Sequence, residues 1–328
     1  ITLTGGTNNV TGGGGTDTII LSTGNDTVNT GSGDDNITAA AGTNGITTQG
    51  GIDRITLTGG TNTVNTGDDG DVINASGGDN DITTGAGVDT VALTGSGNNT
   101  IDTGNSGDSV SASAGTNNIT TGLGGDTVTL TGGTNTVDTG DDGDVVNVSN
   151  GNNDIETGSG SDQVTLTGGT NDVDTGDSSD TVTLGGVDTV DTGAGDDTVE
   201  AGATLTTADT LNGGDGTDII ASSLALTDAL TARLSNFETF DIKGGGGITH
   251  DISGLTGLTS LKASAALTGN ITITDLAAAA DVDIGAALGN DLTINQINAV
   301  GGGSDTLTFD FSGGSYSTGG SIVAANIE

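Results

Sequence analysis

A nine-residue period constrains this chain more than any other feature. From Leu3 to Ala221 the sequence parses into nonamers of the form xxxGx[D/N]xUx, where U is Val, Ile or Leu, and the stretches GGGGTDTII at 12–20 and GGDGTDIIA at 213–221 fit the fuller form GGxGxDxUx. There are 24 such units, with one residue inserted near Leu93, one deleted near Leu184 and three extra within 201–212. Glycines followed by Asp or Asn make a turn. A single apolar residue between polar neighbours makes a very short strand, of which only the apolar position is expected to face inward. Two nonamers close one coil of eighteen residues. The coils stack as a right-handed parallel β-roll of two thin sheets, each coil advancing about 4.8 Å, so that twelve coils predict a rod on the order of 55 Å long.

Composition sharpens the problem. The 328 residues hold 44 acids against 4 basic residues, 63 Gly and no Pro, Cys, Met or Trp. A chain this acidic and only 30% hydrophobic falls near the disordered class unless something neutralises its carboxylates. A net charge of −40 argues against nucleic acid and anionic membrane surfaces as partners. Nothing in the sequence resembles a membrane-inserting span or an N-terminal signal. The absence of cysteine fits an extracellular bacterial protein stapled by metal instead of disulfides.

Assigning successive turns to opposite flanks of the roll sorts the acids. One flank carries Asp17, Asp35, Asp53, Asp71, Asp89, Asp108, Asp126, Asp144, Asp162, Asp180, Asp197 and Asp218, an Asp in every turn. The other carries Asn8, Asn44, Asn62, Asn80, Asn99, Asn117, Asn135, Asn153 and Asn171, with Asp only at 26, 188 and 209. Carboxylates one strand spacing apart repel each other unless hard cations sit between the rungs. Oxygen-only donors, Asp carboxylates and glycine-turn carbonyls, select calcium over zinc or copper. One Ca²⁺ in each gap between Asp turns gives about eleven ions, contributing about +22 and leaving a net charge of roughly −18. On the Asn flank, GGTN and AGTN turns accommodate left-handed backbone, and side-chain amides can bond from rung to rung, so that edge is expected to need no metal.

A longer unit of 36 or 37 residues recurs from Ala39, Ala75, Ala112 and Val148. It accounts for the near-duplicate LTGGTNTVNTGDDGDVINA at 57–75 and LTGGTNTVDTGDDGDVVNV at 130–148. The TGDDGD turns lack Gly at the fourth position, and their extra carboxylates, Asp68, Asp69, Asp141 and Asp142, are candidates for calcium bridges between neighbouring molecules.

This nonamer array resembles the RTX calcium-binding repeat over about two thirds of the chain. The resemblance implies that the sixth-position Asp of each nonamer is a calcium ligand; the Asn flank departs from that pattern. Residues 193–264, with the GGDGTD turn and the strand entry NFET, resemble RTX-bearing bacterial surface-layer (S-layer) proteins. That likeness implies type I secretion from a Gram-negative bacterium and a calcium-dependent, self-associating two-dimensional lattice at the cell surface. It also implies no catalysis, and an anchor to surface polysaccharide through regions outside this chain.

After Ala221 the nonamers stop, which divides the chain into a roll at 1–221 and a second segment at 222–328. LTDALTARLSNFETFDI reads as a short helix leading into a strand, with Asp228 early and Arg233 late in accord with the helix dipole. Apolar segments at 239–242, 250–252, 261–263, 271–274, 282–284, 292–294 and 307–311 then predict an irregular β-helix with its own core, to which Phe237, Phe240, Phe309 and Phe311 belong. Ile1-Thr2 and AANIE at 324–328 read as parts of units that would continue in both directions.

Catalysis has little to work with. His250 is the only His and Tyr316 the only Tyr, and the strand-like setting of ITHDI makes His250 a structural residue. Asp34-Asp35, Asp141-Asp142 and Asp196-Asp197 could imitate a glycosidase pair, but the metal-turn reading explains them together. Arg54, Arg233, Lys243 and Lys262 are scattered and read as solubilising surface residues. The competing class is a noncatalytic RTX extender or ligand-binding module, for polysaccharide or ice, of a large secreted adhesin or enzyme. The repeats contain no exposed aromatic for sugar, and the GTN row that could order water is interrupted.

Overall fold

The computed structural model describes residues 1–244, 247–265, 269–276, 280–283, 292–296, 308–310 and 322–325. The chain forms two compact units, Ile1–Thr175 and Gly176–Glu328. Each is a parallel β-solenoid, as the nine-residue period predicts up to Ala221 and the recurring apolar segments predict beyond it.

In the first unit, alternate strands build two parallel sheets. Thr127–Leu130 pairs with Val145–Val148, Thr127 opposite Val145 and Leu130 opposite Val148. Thr134–Asp138 pairs with Asn152–Glu156, Asn135 opposite Asn153 and Val137 opposite Ile155. The irregularities in the repeat are absorbed into the pairing, with a register shift between Glu200 and Gly202 at the longest of them. The residue added near Leu93 makes Asn80 pair with Asn99, and the three extra residues in 201–212 make Thr189 pair with Thr210 in the second unit.

More than the apolar position faces inward. Alternation along each strand and into the turn buries positions one, six and eight of the nonamer, so the expectation that only the eighth points inside is overturned. On the sheet that follows the Asp turns, Val128, Val146 and Val164 line the core together with Leu130, Val148 and Leu166. The 36-residue unit acquires a packing meaning here. The first position of the Asn-flank nonamers alternates Ala39, Leu57, Ala75, Leu93, Ala112, Leu130, Val148, Leu166, every one buried. A large side chain on one rung is accommodated by a smaller one on the next, which keeps a thin core filled.

In the second unit, Thr198–Gly202, Ile219–Ser222, Thr239–Ile242, Ser260–Lys262, Asp281–Asp283 and Thr308–Asp310 pair in sequence within one parallel sheet. Ile248–Asp251, Ile271–Leu276, Leu292–Gln296 and Ile322–Ala325 form another. All seven predicted segments therefore carry strands, some displaced by one or two residues. Phe237 and Phe240 are fully buried, as expected. The side chain of Phe309, and Phe311, Tyr316 and residues 326–328, lie outside the described residues.

The helix spans only Asp228–Thr231, so Arg233 falls beyond its last turn and does not meet the helix dipole. Lys243 is not a free surface charge either. It lies 3.0 Å from Asp241 on its own rung and 3.2 Å from Glu200 two rungs earlier, spanning the strand Ile219–Ser222 between them. His250 is a buried strand residue, as the sequence suggests. Its Nδ1 accepts from the Leu226 N–H at 3.4 Å, its ring meets Phe240 edge-on at 5.0 Å, and burial pushes its pKa down to about 4.

Candidate metal flank

Each Asp turn delivers its sixth residue to the rung just before a strand. The backbone N–H of one Asp donates to Oδ1 of the Asp on the next rung: Asp53 to Asp71 at 2.8 Å, Asp108 to Asp126 at 2.7 Å, Asp126 to Asp144 at 2.7 Å and Asp197 to Asp218 at 2.8 Å. Of the twelve sequence-identified aspartates, Asp17 alone is partly exposed; the others are buried. They are brought together as a continuous column within each unit, from Asp17 to Asp162 and from Asp180 to Asp218.

The column is half satisfied. Oδ1 is used by the N–H from the preceding rung, whereas Oδ2 of Asp35, Asp53, Asp71, Asp89, Asp108, Asp126, Asp144, Asp197 and Asp218 is buried with no hydrogen-bond partner. Burying a carboxylate oxygen unpaired is costly, and a stack of them compounds the cost through mutual repulsion. Burial accordingly pushes the Asp144 carboxyl up to about 7 and those of Asp71, Asp108 and Asp218 up to about 6. For the first three, the adjoining aspartates push the same way, and a nearby threonine hydroxyl and backbone N–H only partly offset the shift.

Those threonines are a feature sequence reasoning did not use. Thr48, Thr66, Thr84, Thr103, Thr121, Thr139 and Thr157 occupy the first position of their Asp nonamers, fully buried. Each donates to the carbonyl of the threonine one rung on, as Thr121 does to Thr139 at 3.2 Å. A hydroxyl has one proton, so a threonine engaged in this way cannot also satisfy the carboxylate beside it. Only the full-consensus turns keep Gly at this position. A Cβ on Gly12 would strike Asp17 Oδ2 and lie 2.6 Å from the Thr30 carbonyl oxygen; one on Gly213 would strike the Asn236 carbonyl oxygen and lie 3.0 Å from Asp218 Oδ2.

The donor set is therefore carboxylate, carbonyl and hydroxyl oxygen. Among the described residues no three acidic or histidine side chains gather at one point, so an ion in this column would take one or two carboxylates and complete its shell with backbone oxygens. That set fits a hard cation such as calcium, which accepts irregular arrangements of oxygen ligands. Asp35, Asp53, Asp71, Asp89, Asp108, Asp126, Asp144, Asp197 and Asp218 would hold it through the orphaned oxygen.

Neighbouring acids are not facing pairs. Asp35 points in, while Asp34 points out and accepts from the Ile52 N–H at 3.0 Å; Asp196 likewise points out and accepts from the Thr217 N–H at 2.9 Å. The fourth-position residues Asp69, Ser106, Asp142 and Ser178 take positive φ of 76–92°, conformations that Gly holds in the other Asp turns.

The opposite flank is closed from Asn44 to Asn171. Asn44 donates from Nδ2 to Asn62 Oδ1 at 2.9 Å, and the chain continues through Asn80, Asn99, Asn117, Asn135, Asn153 and Asn171 at 2.7–2.8 Å. In Asn62, Asn80, Asn117, Asn135, Asn153 and Asn171 the amide also reaches a turn carbonyl on its own rung, as Asn117 does to Ala114 at 3.1 Å. These amides are buried, which removes the Asn members of the GTN row from the water-facing surface.

Comparison with known families matches the RTX calcium-binding nonapeptide repeat (4 copies) at residues 2–37, 11–46, 21–55, 56–91, 93–128 and 205–224. The chain carries RTX repeats, whose family is calcium-binding and typical of secreted proteins, and together with the β-roll they mark a calcium-binding structural module. Comparisons with curated proteins and with solved structures find no match. Among the described residues no helix is long and apolar enough to cross a membrane.

Proposed function

We propose that this chain is a structural segment of an extracellular surface layer, folded and assembled by Ca²⁺. The observation that carries the reading is the column of aspartates, nine of which are buried with one oxygen that nothing in the protein satisfies. A metal-free roll has to bury those charges unpaired or protonate them, so binding energy at the column is folding energy. Low cytosolic calcium would keep the chain unfolded for type I export, and millimolar calcium outside would fold it.

Self-association draws on the distribution of charge in the first unit. Outward positions on the strands from Thr18–Leu21 to Gln163–Leu166 hold no acid, and Arg54 is their one charge. The other sheet turns Asp81, Asp138, Asp154, Glu156, Asp172 and Asp174 outward. A face free of acid lets two polyanionic copies approach, and equal rung spacing lets them match over many rungs through weak repeated contacts.

The test is a calcium titration of the full chain, followed by circular dichroism and electron microscopy. Strand signal from residues 3–221 and ordered two-dimensional arrays should appear together in millimolar calcium and vanish in chelator, with 239–311 retaining more strand. An unchanged spectrum in excess chelator overturns calcium-driven folding. A chain that folds in calcium, stays monomeric at every calcium level and binds polysaccharide or ice is instead an extender or ligand-binding module of a larger secreted protein.

A further inference from the structure

We propose that the carboxylate column is closed by a residue outside the nonamers, Glu238, which with Asp218 and the Asn236 carbonyl forms a final calcium site beside Gly213. This rests on the reading that the column holds calcium, and adds to it a ligand that no nonamer supplies.

Glu238 stands where the next sixth-position Asp would. Ile219, directly after Asp218, is opposite Thr239, directly after Glu238. The bond that links successive aspartates is kept, because the Asp218 N–H donates to Glu238 Oε2 at 2.8 Å. This rung spans twenty residues instead of eighteen and carries Glu instead of Asp, which is why the nonamer pattern does not reveal it.

The site has the features that point to an ion. Asp218 is fully buried, and its Oδ2 has no hydrogen-bond partner. Beside that oxygen lies the place where a Gly213 Cβ would sit, bordered on its other side by the Asn236 carbonyl oxygen. In the threonine-bearing turns a side chain fills the equivalent position; Gly213 brings none, and the Asn236 carbonyl oxygen lies against that spot instead. No side-chain cation balances the pair, since among the described residues the ion pairs are both made by Lys243, with Glu200 and Asp241. Two carboxylates and a carbonyl drawn from adjoining rungs select a hard divalent cation, with water able to complete the shell.

The test uses the full chain saturated with calcium. Glu238→Gln keeps the acceptor for the Asp218 N–H but removes the charge, and should lower the calcium bound per chain by one, measured by equilibrium dialysis, with an unchanged circular dichroism spectrum. An unchanged count overturns the proposal. Should the variant misfold, anomalous diffraction from calcium-grown crystals of the wild-type chain decides: a peak beside Asp218 Oδ2 supports the site, and its absence there overturns it. Asp126→Ala serves as the control. If it too leaves the count unchanged, the calcium reading of the whole column fails, a result distinct from failure at Glu238 alone.

Discussion

The two edges of the first unit share a rung spacing and a sixth-position side chain, and from Asn44 to Asn171 that side chain differs from its counterpart by one atom. On one edge that atom is an amide nitrogen, which donates to the next rung and closes the ladder from Asn44 to Asn171. On the other it is a carboxylate oxygen, which can only accept. From Asp35 to Asp144 each rung on that edge then keeps one oxygen without a donor. A solenoid built wholly of the first kind needs nothing from solution; one built of the second depends on a cation. This chain joins both, so calcium can control the fold through one side while the other preserves register.

The widest separation between the edges is expected from paired alanine substitutions. Asp126→Ala removes the acceptor of the Asp108 N–H, bonded at 2.7 Å, together with a ligand oxygen. It should lower the bound calcium by at least one ion and shift the folding midpoint to higher calcium. Asn135→Ala leaves Asn153 Oδ1 without its donor and Asn117 Nδ2 without an acceptor, costing about 1–3 kcal/mol for each orphaned group. Its calcium count should equal that of the wild type. Calorimetric titration of both variants checks this, and equal loss of calcium from the two would refute the division of labour.

A smaller contrast is expected from pH. In the unfolded chain aspartates titrate near 3.9, whereas burial raises Asp71, Asp108 and Asp218 to about 6 and Asp144 to about 7. The metal-free folded state therefore binds more protons than the unfolded one between those values. The stability these groups contribute is present in full below the unfolded pKa and is lost as pH rises through 6 to 7. In chelator the strand signal should be stronger at pH 5 than at pH 7.5. In calcium the order should reverse, because protons compete with the ion for the same oxygens. A metal-free chain more ordered at pH 7.5 than at pH 5 would contradict the raised carboxyls.

Much of this was legible in the sequence because a solenoid converts period into register. The residue inserted near Leu93 and the extra residues in 201–212 reappear as the pairing of Asn80 with Asn99 and of Thr189 with Thr210, and the sorting of Asp and Asn to two edges follows from counting nonamers. Three features were hidden for physical reasons. Thr121 and its equivalents are polar and adjoin exposed turns, so only the alternation carried through the turn shows that they are inside. The alternation of Ala75 with Leu93 and Ala112 with Leu130 is visible as a 36-residue period, but its cause is core volume, which a sequence does not display. Glu238 escaped because its rung is not a nonamer, and it is recognised only through the bond from Asp218.

The smallest effect expected is at the place where the two edge chemistries meet. Asp26 lies on the asparagine flank one rung before Asn44, as the pairing of Thr27 with Gly45 fixes. Its Oδ1 accepts from Asn8, at 3.0 Å from N and 2.7 Å from Nδ2, while its Oδ2 and the Oδ1 of Asn44 are both buried without a partner. Two acceptors on adjoining rungs with no donor make the one break in an otherwise closed ladder. Asp26→Asn supplies the missing donor, keeps Oδ1 for Asn8 and extends the amide chain by a rung, so in chelator it should stabilise the fold by about 1 kcal/mol, one added buried hydrogen bond. Thermal unfolding in chelator reads this directly. A lower midpoint for the variant would mean that the charge at Asp26, and not the missing amide hydrogen, governs that rung.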